Sequence, residues 1–144
     1  MKVYVVIRLR GTVKAKKEAV ETLRLLRLNR KMHCVVIPET SPYKGMLFAA
    51  KDYITWGEVS QEELKKLVAK RGRKIGDAHL NEKEVDAAVK ILGEGKKLAG
   101  TEIKPVFRLT PPSKGFKNSI KQHWPDGELG YRGKEISKLL ERMI

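Results

Sequence analysis

Two stretches of the sequence concentrate cations in a pattern suited to phosphate. From Arg8 to Lys31 the chain holds Arg8, Arg10, Lys14, Lys16, Lys17, Arg24, Arg27, Arg30 and Lys31 against only Glu18 and Glu21. From Ile103 to Pro125 it holds Lys104, Arg108, Lys114, Lys117 and Lys121 with no acid at all, and Phe107, Phe116 and Trp124 are interleaved among them. Ammonium and guanidinium groups neutralise a phosphate backbone, and rings stack on unpaired bases or sugars. The chemistry these residues offer is the binding of nucleic acid.

The charge is unevenly placed. Residues 1–51 carry a net charge of +9, residues 52–102 balance 10 Lys/Arg against 10 Asp/Glu, and residues 103–144 carry +5. A single charge run is ordinarily a solvated face. Two unbalanced runs around a neutral middle argue for a partner. A total of +14 on 144 residues is self-repulsive unless a polyanion neutralises it.

Residues able to do covalent or metal chemistry are sparse. His33 and Cys34 are adjacent in an apparent strand, so their side chains point to opposite faces and make no nucleophile–base pair. His79 has no local Cys or His at ligand spacing, and His123 lies in the basic arm. One cysteine excludes an internal disulfide framework and a multi-cysteine zinc site. Glu63 and Glu84 sit where helices are capped, and Glu82, Asp86 and Lys90 are spaced to pair along one helix. Gly127-Glu128-Leu129-Gly130 lacks the spacing of a dinucleotide or P-loop motif. The expectation is a non-enzyme without metal or cofactor.

Hydrophobic residues make up 41%, enough for a modest core. No apolar run reaches the length of about 18 residues that a membrane helix needs. The apolar start, Val3 to Ile7, meets Arg8 too soon for a signal peptide. A cytoplasmic protein is expected.

The elements that must position the cations follow from periodicity. Val3 to Arg10 reads as a strand with Arg8 and Arg10 on one face, stopped by Gly11. Lys14 to Leu28 reads as a helix with Ala19, Val20, Leu23 and Leu26 inward, broadened by Leu25 and Leu28 and stopped at Asn29. Lys31 to Pro38 is a second strand. Ser41 caps a helix with Pro42 in its first turn, and Met46, Leu47 and Ala50 face inward. Tyr53 to Val59 is a third strand. Ser60 and Glu63 form a capping box, and Asn81 with Glu84 opens another helix that Gly93 ends. Residues 110–117 and 125–133 are rich in proline and glycine and read as irregular. Ile136, Leu139, Leu140 and Met143 mark a final amphipathic helix.

The expected fold is α+β. A β-α-β-α-β core at 1–59 has a three-stranded sheet covered by helices on one face and open on the other. A helical extension spans 60–105. An extended basic arm and a docking helix occupy 106–144, the arm ordering on its partner.

Several segments carry a resemblance. They are Ile7-Arg8-Leu9-Arg10-Gly11, Thr22 to Leu28, Lys44-Gly45-Met46-Leu47, Asp52 to Glu58, Phe107-Arg108-Leu109, Pro111-Pro112, Gly115-Phe116-Lys117 and Gly127 to Gly133. In this order, and over essentially the whole chain, the sequence resembles the large-subunit ribosomal protein "L-thirty" family in its longer archaeal and eukaryotic form, called "L-seven" in eukaryotes. The resemblance implies a ferredoxin-like core, no catalysis, and binding to large-subunit ribosomal RNA close to 5S RNA. It also implies neighbouring ribosomal proteins and a single copy per subunit, with no membrane. It points to Arg8, Arg10, Arg24, Arg27, Lys44, Gly45 and Lys114 to Lys117 as RNA-facing. Lys44 stands where family members usually carry Arg, which keeps the charge and loses the planar fork.

Together these readings nominate as RNA-binding Arg8, Arg10, Lys14, Lys16, Lys17, Arg24, Arg27, Arg30, Lys31, Lys44, Gly45, Arg108, Lys114, Gly115, Phe116, Lys117, Lys121, Trp124 and Arg132. The alternative is a chromatin-type basic protein that binds nucleic acid generally.

Overall fold

The computed structural model describes residues 3–11, 13, 15–74, 76, 78–94, 103–113, 115–116 and 119–144. Among them the elements run β1 (Val3–Arg8), α1 (Lys17–Leu25), β2 (His33–Pro38), α2 (Ser41–Ala49), β3 (Ile54–Glu58), α3 (Gln61–Arg71) and α4 (Glu82–Gly93). Then come β4 (Phe107–Arg108), β5 (Ser119–His123), β6 (Gly127–Tyr131), a 3-10 turn (Gly133–Glu135) and α5 (Ile136–Met143).

The fold is α+β, but the sheet has six strands rather than three, in the order β4-β2-β1-β3-β6-β5. Its centre is antiparallel: β1 pairs with β2 through Val5↔Val36 and with β3 through Val6↔Trp56. The C-terminal third extends both edges. Cys34↔Phe107 joins β4 to β2, and Thr55↔Gly130 joins β6 to β3 in parallel, with β5 outermost beside β6. Unpaired backbone groups on β2 and β3 find partners in this way. The segment 127–131, read as irregular for its glycines, is therefore a strand. A side chain at Gly127 would collide with the Gln122 backbone, and one at Gly57 would collide with the Gly133 carbonyl. Glycine at these two positions permits close approach.

The expected open face does not exist. Val3, Val5, Ile7 and Leu9 point to one side, where α3, α4 and α5 supply Leu64, Leu67, Val85, Leu92, Ile136 and Met143. Tyr4, Val6, Val35 and Ile54 point to the other, under Leu23, Leu26 and Leu28 of the α1 segment and Leu47 of α2. All six residues of β1 are buried. Its unbroken apolar run is the mark of a strand covered on both faces.

Helix ends follow local chemistry. The capping box at Ser60 and Glu63 is formed, and Asn81 accepts the Glu84 N–H at 2.9 Å. Thr40, not Ser41, is the N-cap of α2 and makes no side-chain cap bond, while Pro42 lies in the first turn. The stop of α1 is Arg27, not Asn29. Its φ is +65°, its N–H reaches Arg24 O, and Leu28 N–H reaches Leu23 O. This is the Schellman pattern with arginine in the left-handed position. Val20 and Leu25, counted in the inward stripe, are exposed, Leu25 by 60%. Asp86, spaced to pair with Lys90, instead meets Lys65 of α3 at 3.5 Å.

Candidate nucleic-acid interface

The outward side of α1 and the loop after it form a cationic surface. Lys16, Lys17, Arg24, Arg27, Arg30 and Lys31 are all exposed. Arg24 contacts Glu21, whose carboxyl it holds below the usual range by hydrogen bonding and charge. That exposed pair is worth little and does not bury the guanidinium. Arg10 lies at the edge of this surface, donating to Asp52 O at 3.3 Å with its guanidinium 5.7 Å from the Tyr53 ring centroid.

Two nominated arginines do not belong to it. Arg8 is 6% exposed, and donates to Leu28 O at 2.8 Å and Arg10 O at 2.9 Å. β1 ends at Arg8, so Arg8 and Arg10 do not share a strand face; Arg8 folds inward to satisfy carbonyls of the turn after α1. Burial lowers its pKa from the ordinary value. Arg132 is equally buried, and donates to Thr55 Oγ1 at 2.9 Å and Glu128 Oε2 at 2.7 Å. Both guanidiniums are spent on the protein, and neither is presented to a polyanion.

On α2, Lys44 is exposed and pairs with Glu39 at 3.1 Å. Gly45 has nothing within 4 Å of where a Cβ would sit, so the helix backbone is open there. One turn on, Phe48 is 67% exposed and Lys51 Nζ stands 4.3 Å from its ring centroid. The sequence reading passed over Phe48. Its signal was position: it lies three residues from Gly45 and outside the Met46, Leu47, Ala50 stripe.

A second cationic feature was not foreseen. Arg71, Arg73, Lys104 and Arg108 line one cleft of about 380 Å³ with Val106, and no carboxylate is among its walls. Arg71 and Arg73 leave the end of α3, while Arg108 is in β4. The neutral charge count of the middle third conceals this cleft, because the acids of α3 and α4 lie elsewhere; Glu84, for one, pairs with Lys74 at 2.7 Å.

The arm is folded onto the body rather than projecting. Phe107 is fully buried, as its alternation with Val106 suggested, and Phe116 packs partly buried against the same core. Arg142 of α5 donates to Ser113 O at 2.8 Å and also to the Gly115 carbonyl. Thr110 N–H reaches Met143 O at 3.1 Å. Lys121 is exposed on β5, while Trp124 is half-buried with the Arg132 guanidinium 4.9 Å from its ring centroid. The expectation that this arm orders only on its partner is overturned for the described residues. Lys14, Lys114 and Lys117 lie outside them.

The histidines and the cysteine are apart. His33 and Arg108 face each other across β2 and β4, His123 Nε2 is 2.9 Å from Asp52 Oδ1, and His79 bridges to Arg73. Cys34 is fully buried, which pushes its thiol pKa up and keeps it unreactive. Among the described residues no group of three His, Cys, Asp or Glu side chains is placed to hold a metal, and no helix is long and apolar enough to cross a membrane.

Comparison with known proteins places this surface in a family. The family model described as ribosomal protein L30p/L7e matches residues 4–54, from β1 to the start of β3. A protein of Methanosphaera stadtmanae named large ribosomal subunit protein uL30 is 47% identical, over 98% of this chain and 99% of its own. The chain belongs to the uL30 family. The uL30 proteins of Archaeoglobus fulgidus, 45% identical over 97% and 99%, and Nanoarchaeum equitans, 43% identical over the whole of both chains, extend the similarity. The uL30 likeness thus includes the C-terminal third that completes the sheet.

Proposed function

We propose that this protein is a structural constituent of the large ribosomal subunit that binds and stabilises ribosomal RNA in the cytoplasm, supporting translation without catalysis. The carrying observation is near full-length similarity to archaeal proteins named large ribosomal subunit protein uL30. A net charge of +14 supports the same reading.

The RNA contacts are assigned to two surfaces. One is the α1 side with Arg10, Lys14, Lys16, Lys17, Arg24, Arg27, Arg30 and Lys31, continued by Lys44 and the open backbone at Gly45. The other is the Arg71, Arg73, Lys104 and Arg108 cleft. Exposed Lys121 adds charge at the sheet edge, as do Lys114 and Lys117 beside Gly115 and Phe116. Phe48 offers a ring on which an unpaired base can stack. The first 59 residues act as a ferredoxin-like unit, 60–105 as a helical extension and 106–144 as the RNA-binding arm and its docking helix. One copy serves each subunit, beside 5S RNA and other ribosomal proteins.

The mechanism is neutralisation. Where RNA helices converge, their phosphates repel, and a rigid cationic body relieves that repulsion. Binding then weakens with salt, with a log–log slope of about −0.7 to −0.9 per phosphate neutralised. The test is competition between a large-subunit ribosomal RNA fragment and duplex DNA at physiological salt, using wild type and Arg24→Glu/Arg27→Glu. Preference for the ribosomal RNA, lost in the folded double variant, is expected. Equal affinity for both nucleic acids would favour a general nucleic-acid-binding protein.

A further inference from the structure

One cleft on the molecule has the opposite character to the cationic surfaces. Tyr4 on β1 lies opposite Glu58 on β3, and Trp56, two residues earlier on β3, lies opposite Tyr131 on β6. Side chains on a strand alternate, and opposed residues share a face, so these four project to the α2 side of the sheet. The rings converge: Tyr4 meets Tyr131 edge-on at 6.1 Å and 69°, and Trp56 meets Tyr131 at 6.3 Å and 41°. Glu39, after β2, and Lys44, on α2, complete the rim of a cleft of about 280 Å³. Tyr131 is 48% exposed, so the ring cluster opens to solvent.

The polar groups are ordered. The Tyr131 hydroxyl donates to Glu58 Oε1 at 3.1 Å. The Tyr4 hydroxyl hydrogen-bonds Glu39, and Lys44 Nζ stands 3.1 Å from Glu39 Oε1. Two carboxylates against one ammonium leave the rim at about −1, on a protein of net charge +14. That sign disfavours phosphate. It suits one cation, and the ring faces favour the same guest. The cleft is below the usual size of a small-molecule site, so it takes a side chain rather than a whole ligand.

A guanidinium fits better than an ammonium. It is planar and stacks on an aromatic face, and it meets a carboxylate with paired N–H groups. A carboxylate that already accepts one hydrogen bond retains further acceptor positions. The phenols carry the imprint of the local field: burial and Glu39 push Tyr4 up to about 12, and burial and Glu58 push Tyr131 up as well.

We propose that the cleft formed by Tyr4, Trp56, Tyr131, Glu39 and Glu58 is a receptor for an arginine side chain of a partner polypeptide. It would dock a basic protein segment on a part of the surface that RNA phosphates avoid. The inference stands on this geometry alone and does not depend on the RNA reading.

The test is a titration of the full-length protein followed by the indole N–H signals of Trp56 and Trp124 in proton–nitrogen spectra. The probes are acetyl-Gly-Arg-Gly-amide, its citrulline analogue, and adenosine monophosphate. The arginine peptide should move the Trp56 signal saturably and leave Trp124 in place. The uncharged citrulline peptide should bind about tenfold more weakly, the scale of one lost cation–π and ionic contact. Glu58→Gln should weaken the arginine peptide similarly, and Tyr131→Leu supplies a second variant if the first is misfolded. No saturable shift, equal shifts from citrulline, or unchanged affinity in both folded variants would overturn the proposal. Saturation by the nucleotide in place of the arginine peptide would instead assign the rings to RNA.

Discussion

The Arg132 guanidinium meets the Glu128 carboxylate at 2.7 Å, and both side chains are only 4% exposed. The same arginine donates to Thr55 Oγ1, and Thr55 Oγ1 donates to the Gly130 carbonyl at 2.9 Å. The network bolts β6 to β3 at their parallel junction. Breaking a buried pair by removing one partner strands the other charge, at a cost of about 3–5 kcal/mol. Glu128→Ala should lower unfolding stability by about that much, measured by urea denaturation. A loss below about 1 kcal/mol would show that Arg132 reaches water without its partner.

Arg27 separates folding from binding. Its φ of +65° is a conformation that a side chain resists and glycine adopts freely. Arg27→Gly should therefore stabilise the fold, by about 1 kcal/mol, while weakening association with RNA. Thermal melts and salt-series binding on the same variant check both signs. Destabilisation would mean that the arginine side chain contributes packing that outweighs the backbone strain.

Phe48 makes the converse prediction. At 67% exposure its ring adds little to the core. Phe48→Ala should leave the melting temperature almost unchanged and cost RNA affinity about 1–3 kcal/mol, the value of one stacked base. RNA affinity equal to wild type in this variant would remove the ring from the interface.

His33 ties stability to pH. Burial, then the charges of Arg108, Arg30 and Arg8, lower its pKa from the ordinary 6.5. As pH falls, the unfolded chain takes up the proton first. The contribution is therefore unpenalised above about pH 6.5 and declines as pH drops towards the depressed folded value. Urea midpoints from about pH 8 to about pH 5 should fall more steeply for wild type than for His33→Gln. Parallel profiles would show that His33 titrates alike in both states.

Much of the frame was open to reading before folding. The alternation of Val3, Val5 and Ile7 against Tyr4 and Val6, the Ser60 and Glu63 capping box, and the Ile136 to Met143 stripe are local codes. Each is set by residues within a turn or a strand of one another. So is the clustering of Lys16, Lys17, Arg24 and Arg27, because one helix carries all four.

What the sequence by itself determined, then, was the element types of the first 59 residues, the uneven charge, and a chemistry of phosphate binding rather than turnover. Tertiary structure alone decided which cations remain outside. Arg8 and Arg24 are equally basic in the sequence. Only the Leu28 and Arg10 carbonyls, brought beside β1 by the α1 turn, draw the first inward. Likewise Arg71 and Arg73 meet Lys104 and Arg108 only because β4 completes the edge beside β2. Side-chain burial and long-range charge convergence depend on residues distant in sequence, and local periodicity carries no record of those distances.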